Sequence, residues 1–212
     1  LAVIQHLELP ETLGYVFSML ANKPPRRIIG FFQICLWLLL TSSAALAEPT
    51  AISSRVKHHY AQNGDVKIHY VSLGKGPLVV MIHGFPDYWY TWRHQMDILA
   101  KTHRVIAIDQ RGYNRSDQPK GVDQYTINHL VADVVAVVRD CQQNSATIIG
   151  QDWGGFVAWN VAMAHPDLTK KLIVLNLPHP VCLTRELATN KKQQSNSQYA
   201  RNFQQPNAHR AL

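Results

Sequence analysis

The 212-residue chain predicts an α/β fold, a mostly parallel sheet with helices on both faces and the start of a helical lid after it. Three observations carry this. Short apolar runs of strand length recur at 77–82 (PLVVMI), 105–108 (VIAI), 145–149 (SATII) and 171–176 (KLIVLN). Between them lie 90–100, 125–141 and 156–164, where apolar residues recur at helical spacing. Strands that alternate with helices are joined by crossovers, which run neighbouring strands parallel and cover both faces of the sheet.

Each element has its own reason. Residues 55–60 and 67–72 read as an antiparallel pair joined at Asn63-Gly64, a dipeptide suited to the positive φ of a tight hairpin turn. The run 77–82 is a third strand, apolar throughout and therefore buried on both faces. A helix is expected over 90–100, a fourth strand over 105–108 ending in Asp109, and an amphipathic helix over 125–141 with Val and Leu repeating. The strand 145–149 then leads through a tight turn into the helix 156–164, and 171–176 gives a sixth strand. Ligand chemistry in such sheets gathers at the carboxyl ends of the strands, where His83, Asp109, Asp152 and Asn176 all fall. The expected organisation is a core segment over 48–180 and the beginning of a lid over 181–212, where the chain turns polar and Gln/Asn-rich.

The turn after the fifth strand reads Gly150-Gln151-Asp152-Trp153-Gly154-Gly155. A sharp strand-to-helix turn holds its central residue in a strained conformation, and small residues two before and two after let neighbouring backbones pass closely. Asp152 would then project over the sheet edge as a nucleophile, its carboxylate favoured by the N–H groups of the helix that follows. The alternative is an aspartate that simply N-caps that helix. The third strand runs directly into His83-Gly84-Phe85-Pro86, the place for a loop whose backbone N–H joins that of the residue after the nucleophile to stabilise developing negative charge. Those two residues are Phe85 and Trp153. The same tetrapeptide taken alone is a Gly-Pro turn ending a strand.

From Val56 to about Pro180 the chain resembles the core of the α/β-hydrolase superfamily, and within it the epoxide hydrolases. The resemblance rests on HGFP at 83–86, the trailing Trp89 and Trp92, DQRGYNRSD at 109–117, GQDWGG at 150–155 and LNLPHP at 175–180. It implies attack of Asp152 on an epoxide carbon, an alkyl-enzyme ester, and release of the diol by a histidine-activated water. A carboxylate that displaces oxygen from saturated carbon makes a stable ester, whereas attack on an ester carbonyl would give an anhydride. Haloalkane dehalogenases also pair Asp with Trp at this turn, but those that resemble this chain usually place Asn or Glu after His-Gly, where Phe85 stands. Fluoroacetate dehalogenases put Arg after the nucleophile, where Trp153 stands. The resemblance also implies a substrate pocket at His83, Gly84 and Pro86. It makes Tyr199, in YARNFQ at 199–204, a lid donor to the epoxide oxygen, a role a neutral phenol suits. An ordinary contact on an amphipathic lid helix is the other reading of Tyr199.

Family members of this kind continue to an acid and a terminal histidine. Only His165, His179 and His209 follow Asp152, none after an expected last strand, and Asn176 occupies the end of the sixth strand where an acid would stand. The sequence therefore reads as C-terminally truncated, with the water-activating base and its acid missing. It also admits a non-catalytic remnant or small-ligand binder of the same family. The expected ligand is a small apolar electrophile, an epoxide or alkyl halide.

The formal charge of +7 comes from scattered basic residues, with no basic patch interleaved with aromatics, and no nucleic acid partner is expected. No metal-ligand spacing is present, because His58 and His59 are adjacent on a strand and point to opposite faces. No dinucleotide fingerprint follows a first strand, so no cofactor is expected. At the N-terminus, Lys23 to Arg27 (KPPRR), the apolar stretch Ile28 to Leu40 and Ala45-Leu46-Ala47 make a signal peptide over 19–47. Its apolar stretch is short for a membrane anchor. Residues 1–18 read as an upstream stretch before a start at Met19, and cleavage after Ala47 would deliver a periplasmic or secreted protein beginning at Glu48. Of three cysteines, Cys35 lies in the segment expected to be removed, and Cys141 and Cys182 are expected to stay unpaired.

Overall fold

The computed structural model describes residues 51–205 and 208. The signal segment, the start at Met19, Cys35 and His209 lie outside the described residues. The order of elements is α1 (Ile52–Arg55), β1 (Lys57–Asn63), β2 (Val66–Leu73), β3 (Leu78–Ile82), a 3-10 turn (Trp89–Trp92), α2 (Arg93–Leu99) and β4 (Arg104–Ile108). A second 3-10 turn (Val122–Tyr125) precedes α3 (Ile127–Asp140), β5 (Ala146–Gln151), α4 (Trp153–Ala164) and β6 (Thr169–Leu175). Three short helices follow: α5 (Pro180–Thr189), α6 (Lys191–Asn196) and α7 (Gln198–Asn202).

The six strands form one sheet in the order β1-β2-β4-β3-β5-β6. β1 and β2 are the antiparallel hairpin, with Asn63 opposite Val66 and Gly64 at φ +59° in the turn. β2 also runs antiparallel to β4, while β4, β3, β5 and β6 are mutually parallel. The two central strands explain their unbroken apolar sequences. Leu78, Val80 and Ile82 of β3, with Ile106 and Ile108 of β4, pack against the Val-rich face of α3 and against Val157, Ala158 and Val161 of α4. Val79, Met81, Val105 and Ala107 point the other way, onto Trp89, Trp92 and Met96. Each face of the sheet thus buries its own cluster, and alternation along a strand feeds both.

Of the boundaries that differ from the sequence expectation, three have a clear cause, and the expected sixth strand over 171–176 ends instead at Leu175. The expected first strand began at 55, but Arg55 closes α1 and Val56 is the extended residue that turns the chain into β1. The expected helix over 90–100 is split: the Trp89–Trp92 segment is a 3-10 turn that drives both indoles into the core, and the α-helix starts only at Arg93. The expected helix over 125–141 starts at Ile127, because Thr126 is extended with ψ 155° and Val122–Tyr125 is again 3-10. β6 lies at the edge of the sheet, and its Ile173 and Leu175 are exposed. None of the residues of α5, α6 and α7 is buried. Cys141 is buried, Cys182 is exposed and both are free.

Candidate active site

Asp152 stands between the last residue of β5 and the first of α4, at φ 54° and ψ −126°. That combination is close to forbidden for any residue with a Cβ and costs about 1–3 kcal/mol, so it persists only where the surroundings impose it. Its amide N–H is shared between the Leu175 carbonyl at 3.3 Å and Asn176 Oδ1 at 3.2 Å. Its carbonyl accepts from Gly155 N–H at 2.8 Å and Phe156 N–H at 3.3 Å. The backbone of Asp152 therefore caps α4. Its side chain makes no capping bond, which removes the helix-cap reading of this aspartate.

Instead the carboxylate crosses to the loop after β3, where Phe85 N–H donates to Oδ1 at 3.1 Å. This contact needs two backbones to approach within van der Waals limits, and the glycines permit it. A Cβ on Gly84 would lie 2.6 Å from Asp152 Cβ, and one on Gly154 would lie 2.3 Å from the carbonyl oxygens of both Ile82 and His83. Phe85 N–H thus faces the carboxylate, where the sequence expectation put one of two donors. Trp153 N–H makes no bond to the carboxylate, and its indole, 45% exposed, stacks on Phe156 at 5.2 Å.

His83 proves to be a buried brace. Gln110 N–H donates to His83 Nε2 at 3.0 Å, which leaves Nδ1–H to donate to the Gly84 carbonyl at 2.8 Å. The ring is neutral, and burial holds its pKa below the ordinary imidazole value. Gln110 Nε2 also donates to the His83 carbonyl at 2.7 Å, tying the loop after β3 to the loop after β4. The sequence expectation put His83 in the substrate pocket, but no part of it is exposed and both nitrogens are committed to backbone. Gly84 touches Asp152 directly, and the Phe85–Pro86 peptide is cis.

Two groups beside Asp152 were assigned no role in the site from sequence alone. Tyr113, half-buried, sets its ring edge-on against His83 at 4.9 Å, and burial together with the Asp152 carboxylate pushes its phenol above the ordinary value. Asn176 is the amide acceptor just described. The only sequence signals were position after a strand end and, for Tyr113, membership of the 109–117 motif.

Asp109, which closes β4, is an anchor beneath these loops. Its Oδ1 accepts from Trp89 N–H at 2.8 Å, and its Oδ2 accepts from Asn114 Nδ2 at 2.8 Å and pairs with His69 Nδ1 at 2.6 Å. Burial alone would raise its pKa, but these hydrogen bonds outweigh it and hold the carboxyl below the ordinary range. His69 in turn meets His58 Nδ1 at 2.8 Å through Nε2. His59, on the opposite face of β1, stacks on Tyr70. Among the described residues no cluster of three metal-ligating side chains occurs.

Tyr199 is 56% exposed on α7 and lies edge-on to Phe203 at 5.9 Å. Phe203 packs on Phe85 at 5.2 Å, so the segment after α7 reaches the loop that meets Asp152. The remaining histidines are elsewhere. His165 closes the far end of α4, about 18 Å of helix from Asp152, and lines a groove with Arg139 and Asp140. His179 caps α5, with Nδ1 accepting from Val181 N–H and its ring against Trp159.

Comparison with known proteins agrees with this architecture. Residues 77–211 match the family described as alpha/beta hydrolase fold. Epoxide hydrolase 2 of Caenorhabditis elegans is 39% identical over 149 residues, 69% of this chain and 42% of the relative. The AB hydrolase superfamily protein YfhM of Bacillus subtilis is 40% identical over 154 residues, 71% of this chain and 54% of the relative. Among solved structures, a Bacillus megaterium epoxide hydrolase in complex with an inhibitor superposes with a TM-score of 0.69 at 40% identity, covering 71% of this chain and 53% of that one. The chain therefore spans about half the length of these relatives.

Proposed function

As this chain belongs to the α/β-hydrolase fold family, among relatives named epoxide hydrolases, we propose that it contributes the alkylating half of an epoxide-opening site with Asp152 as nucleophile. The observation that carries this is the Asp152 carboxylate itself, held at a strained strand-to-helix turn with Oδ1 on the Phe85 amide. Oδ1 is occupied by a donor, so Oδ2 is the oxygen presented for attack. It forms a C–O bond to the less hindered epoxide carbon as the ring C–O bond breaks, and the ring oxygen leaves with the electron pair. A proton for that oxygen comes from a phenol, the role we assign to Tyr199. In the ester, the former Oδ1 is the carbonyl oxygen. When water adds to that carbonyl carbon, charge develops on the oxygen beside Phe85 N–H, with Trp153 N–H as the second donor of the hole.

Among the described residues, none of the groups set against Asp152 is a free histidine base. His83, in the loop that meets Asp152, is committed to backbone through both nitrogens. The ester formed by this chain alone should accordingly accumulate. The test is intact mass after incubation with excess styrene oxide. One adduct is expected on the wild-type chain, localised to Asp152 by peptide mapping, with none in Asp152→Asn. An adduct that persists in Asp152→Asn, or no adduct at all, overturns the assignment. We also propose export, and a mature N-terminus at Glu48. Recovery of a protein that still begins before Lys23 would refute it.

A further inference from the structure

We propose that Asn176 is a positioning residue that fixes the backbone of the nucleophile turn, an inference that rests on reading Asp152 as the nucleophile. A residue at φ 54° and ψ −126° must be held from both ends, or it relaxes to an ordinary conformation. Its carboxyl side is held by α4, through the bonds from Gly155 and Phe156 to its carbonyl. The amino side has no such scaffold. The β5–β6 ladder ends at the pair Gln151 and Leu175, and beyond it the Asp152 amide finds the Leu175 carbonyl only at 3.3 Å. Asn176 Oδ1, at 3.2 Å, completes the bond from the other side.

The residue type follows from the geometry. Asn176 is itself at φ 52°, in the left-handed region that Asn and Asp tolerate better than other residues bearing a Cβ. That bend takes the chain out of the ladder and turns a short side chain carrying a carbonyl oxygen back to the turn. A longer side chain would overshoot, a branched one would resist the bend, and glycine would make the bend without supplying the oxygen. Asn176 thus holds the attacking carboxylate at the height where Phe85 N–H meets Oδ1.

The experiment uses the full chain with styrene oxide as the probe. It compares wild type, Asn176→Gly and Asn176→Asp by the rate of adduct formation and by hydrogen exchange at the Asp152 amide. Asn176→Gly keeps the bend and loses the acceptor. It is expected to stay folded, to alkylate about tenfold more slowly as the carboxylate loses its fixed geometry, and to exchange the Asp152 amide faster. Asn176→Asp keeps the acceptor and should restore protection of the amide. It should also restore the rate at high pH while moving the pH profile of alkylation upward, since a second carboxylate beside Asp152 makes it hold its proton longer. A residue with only a structural role would change the melting temperature and leave rate, exchange and profile alone. Wild-type rate and exchange in Asn176→Gly, or no rescue by Asn176→Asp, overturns the inference. If the wild-type chain forms no adduct while the exchange differences appear, the nucleophile assignment fails and the positioning contact stands.

Discussion

Replacing Asp152 by glycine and by alanine, and comparing the two, isolates the strain at the turn between β5 and α4. Both variants delete the carboxylate and its bond to Phe85, so those losses cancel in the difference. What remains is the backbone. Alanine retains a Cβ at φ 54° and ψ −126°, and so carries the cost of about 1–3 kcal/mol for that conformation, whereas glycine reaches it freely. Against this, glycine has a more disordered unfolded state, which costs about 0.4–1 kcal/mol relative to alanine. Asp152→Gly is therefore expected to be more stable than Asp152→Ala by roughly 0.5–2 kcal/mol, the reverse of the order at an ordinary position. For a domain of this size that is a difference of about 1–8 °C in melting temperature. Urea denaturation followed by circular dichroism, with m-values compared between the variants, measures it. If alanine proves equal to or more stable than glycine, the turn is not strained and the surroundings do not impose the geometry of Asp152.

Three further outcomes are expected. Asp133→Ala removes the carboxylate that Arg111 holds through Nε and Nη2, both at 2.6 Å, and leaves a guanidinium only 2% exposed. The loss should be about 3–5 kcal/mol, largely recovered in Arg111→Met/Asp133→Leu; a urea midpoint giving under about 1 kcal/mol would contradict the buried pair. Gly154→Ala places a methyl 2.3 Å from the carbonyl oxygens of Ile82, which ends β3, and of His83 after it, so it should cost about 3 kcal/mol or more and slow adduct formation by moving Phe85. Adduct formation at the wild-type rate would mean that the two backbones have room to separate. Finally, stability should fall on acidification in two stages. The folded values of His58, His59 and His83 lie below the ordinary 6.5, so the unfolded chain takes up protons first as pH drops through 6.5. Asp109, held below its ordinary 3.8, adds its loss only under about pH 4. Equal urea midpoints at pH 7.5 and 5.0 would refute the first stage.

The parts of the site legible in the sequence were those that local rules specify. Asp152, Phe85 and the glycines around them are read from a strand that runs into a Gly-rich turn, because such a turn admits few residue types. His83 was misplaced for the same reason it was noticed. Position at a strand end gives its neighbourhood, but whether an imidazole faces a pocket or braces two loops depends on Gln110, which approaches from another strand. The 3-10 turn at Trp89–Trp92 looked helical because the apolar spacing of one turn suits either helix. The requirement to bury two indoles and to donate Trp89 N–H to Asp109 decided between them.

The sequence by itself determined the alternation of strands and helices, the two buried faces of the sheet and the identity of the carboxylate at its edge. Periodicity and turn chemistry act over a few residues and need no partner to be read. Only the tertiary structure decided that this carboxylate leaves the capping of α4 to its own backbone and reaches Phe85, that Asn176 holds its amide, that Tyr113 stands beside it and that His165 does not. Those contacts join residues 24, 39 and 67 positions apart in the chain, brought together by the parallel register of β3, β4, β5 and β6. The contacts of Asn176 and Tyr113 with Asp152 have no signature in any of their neighbourhoods.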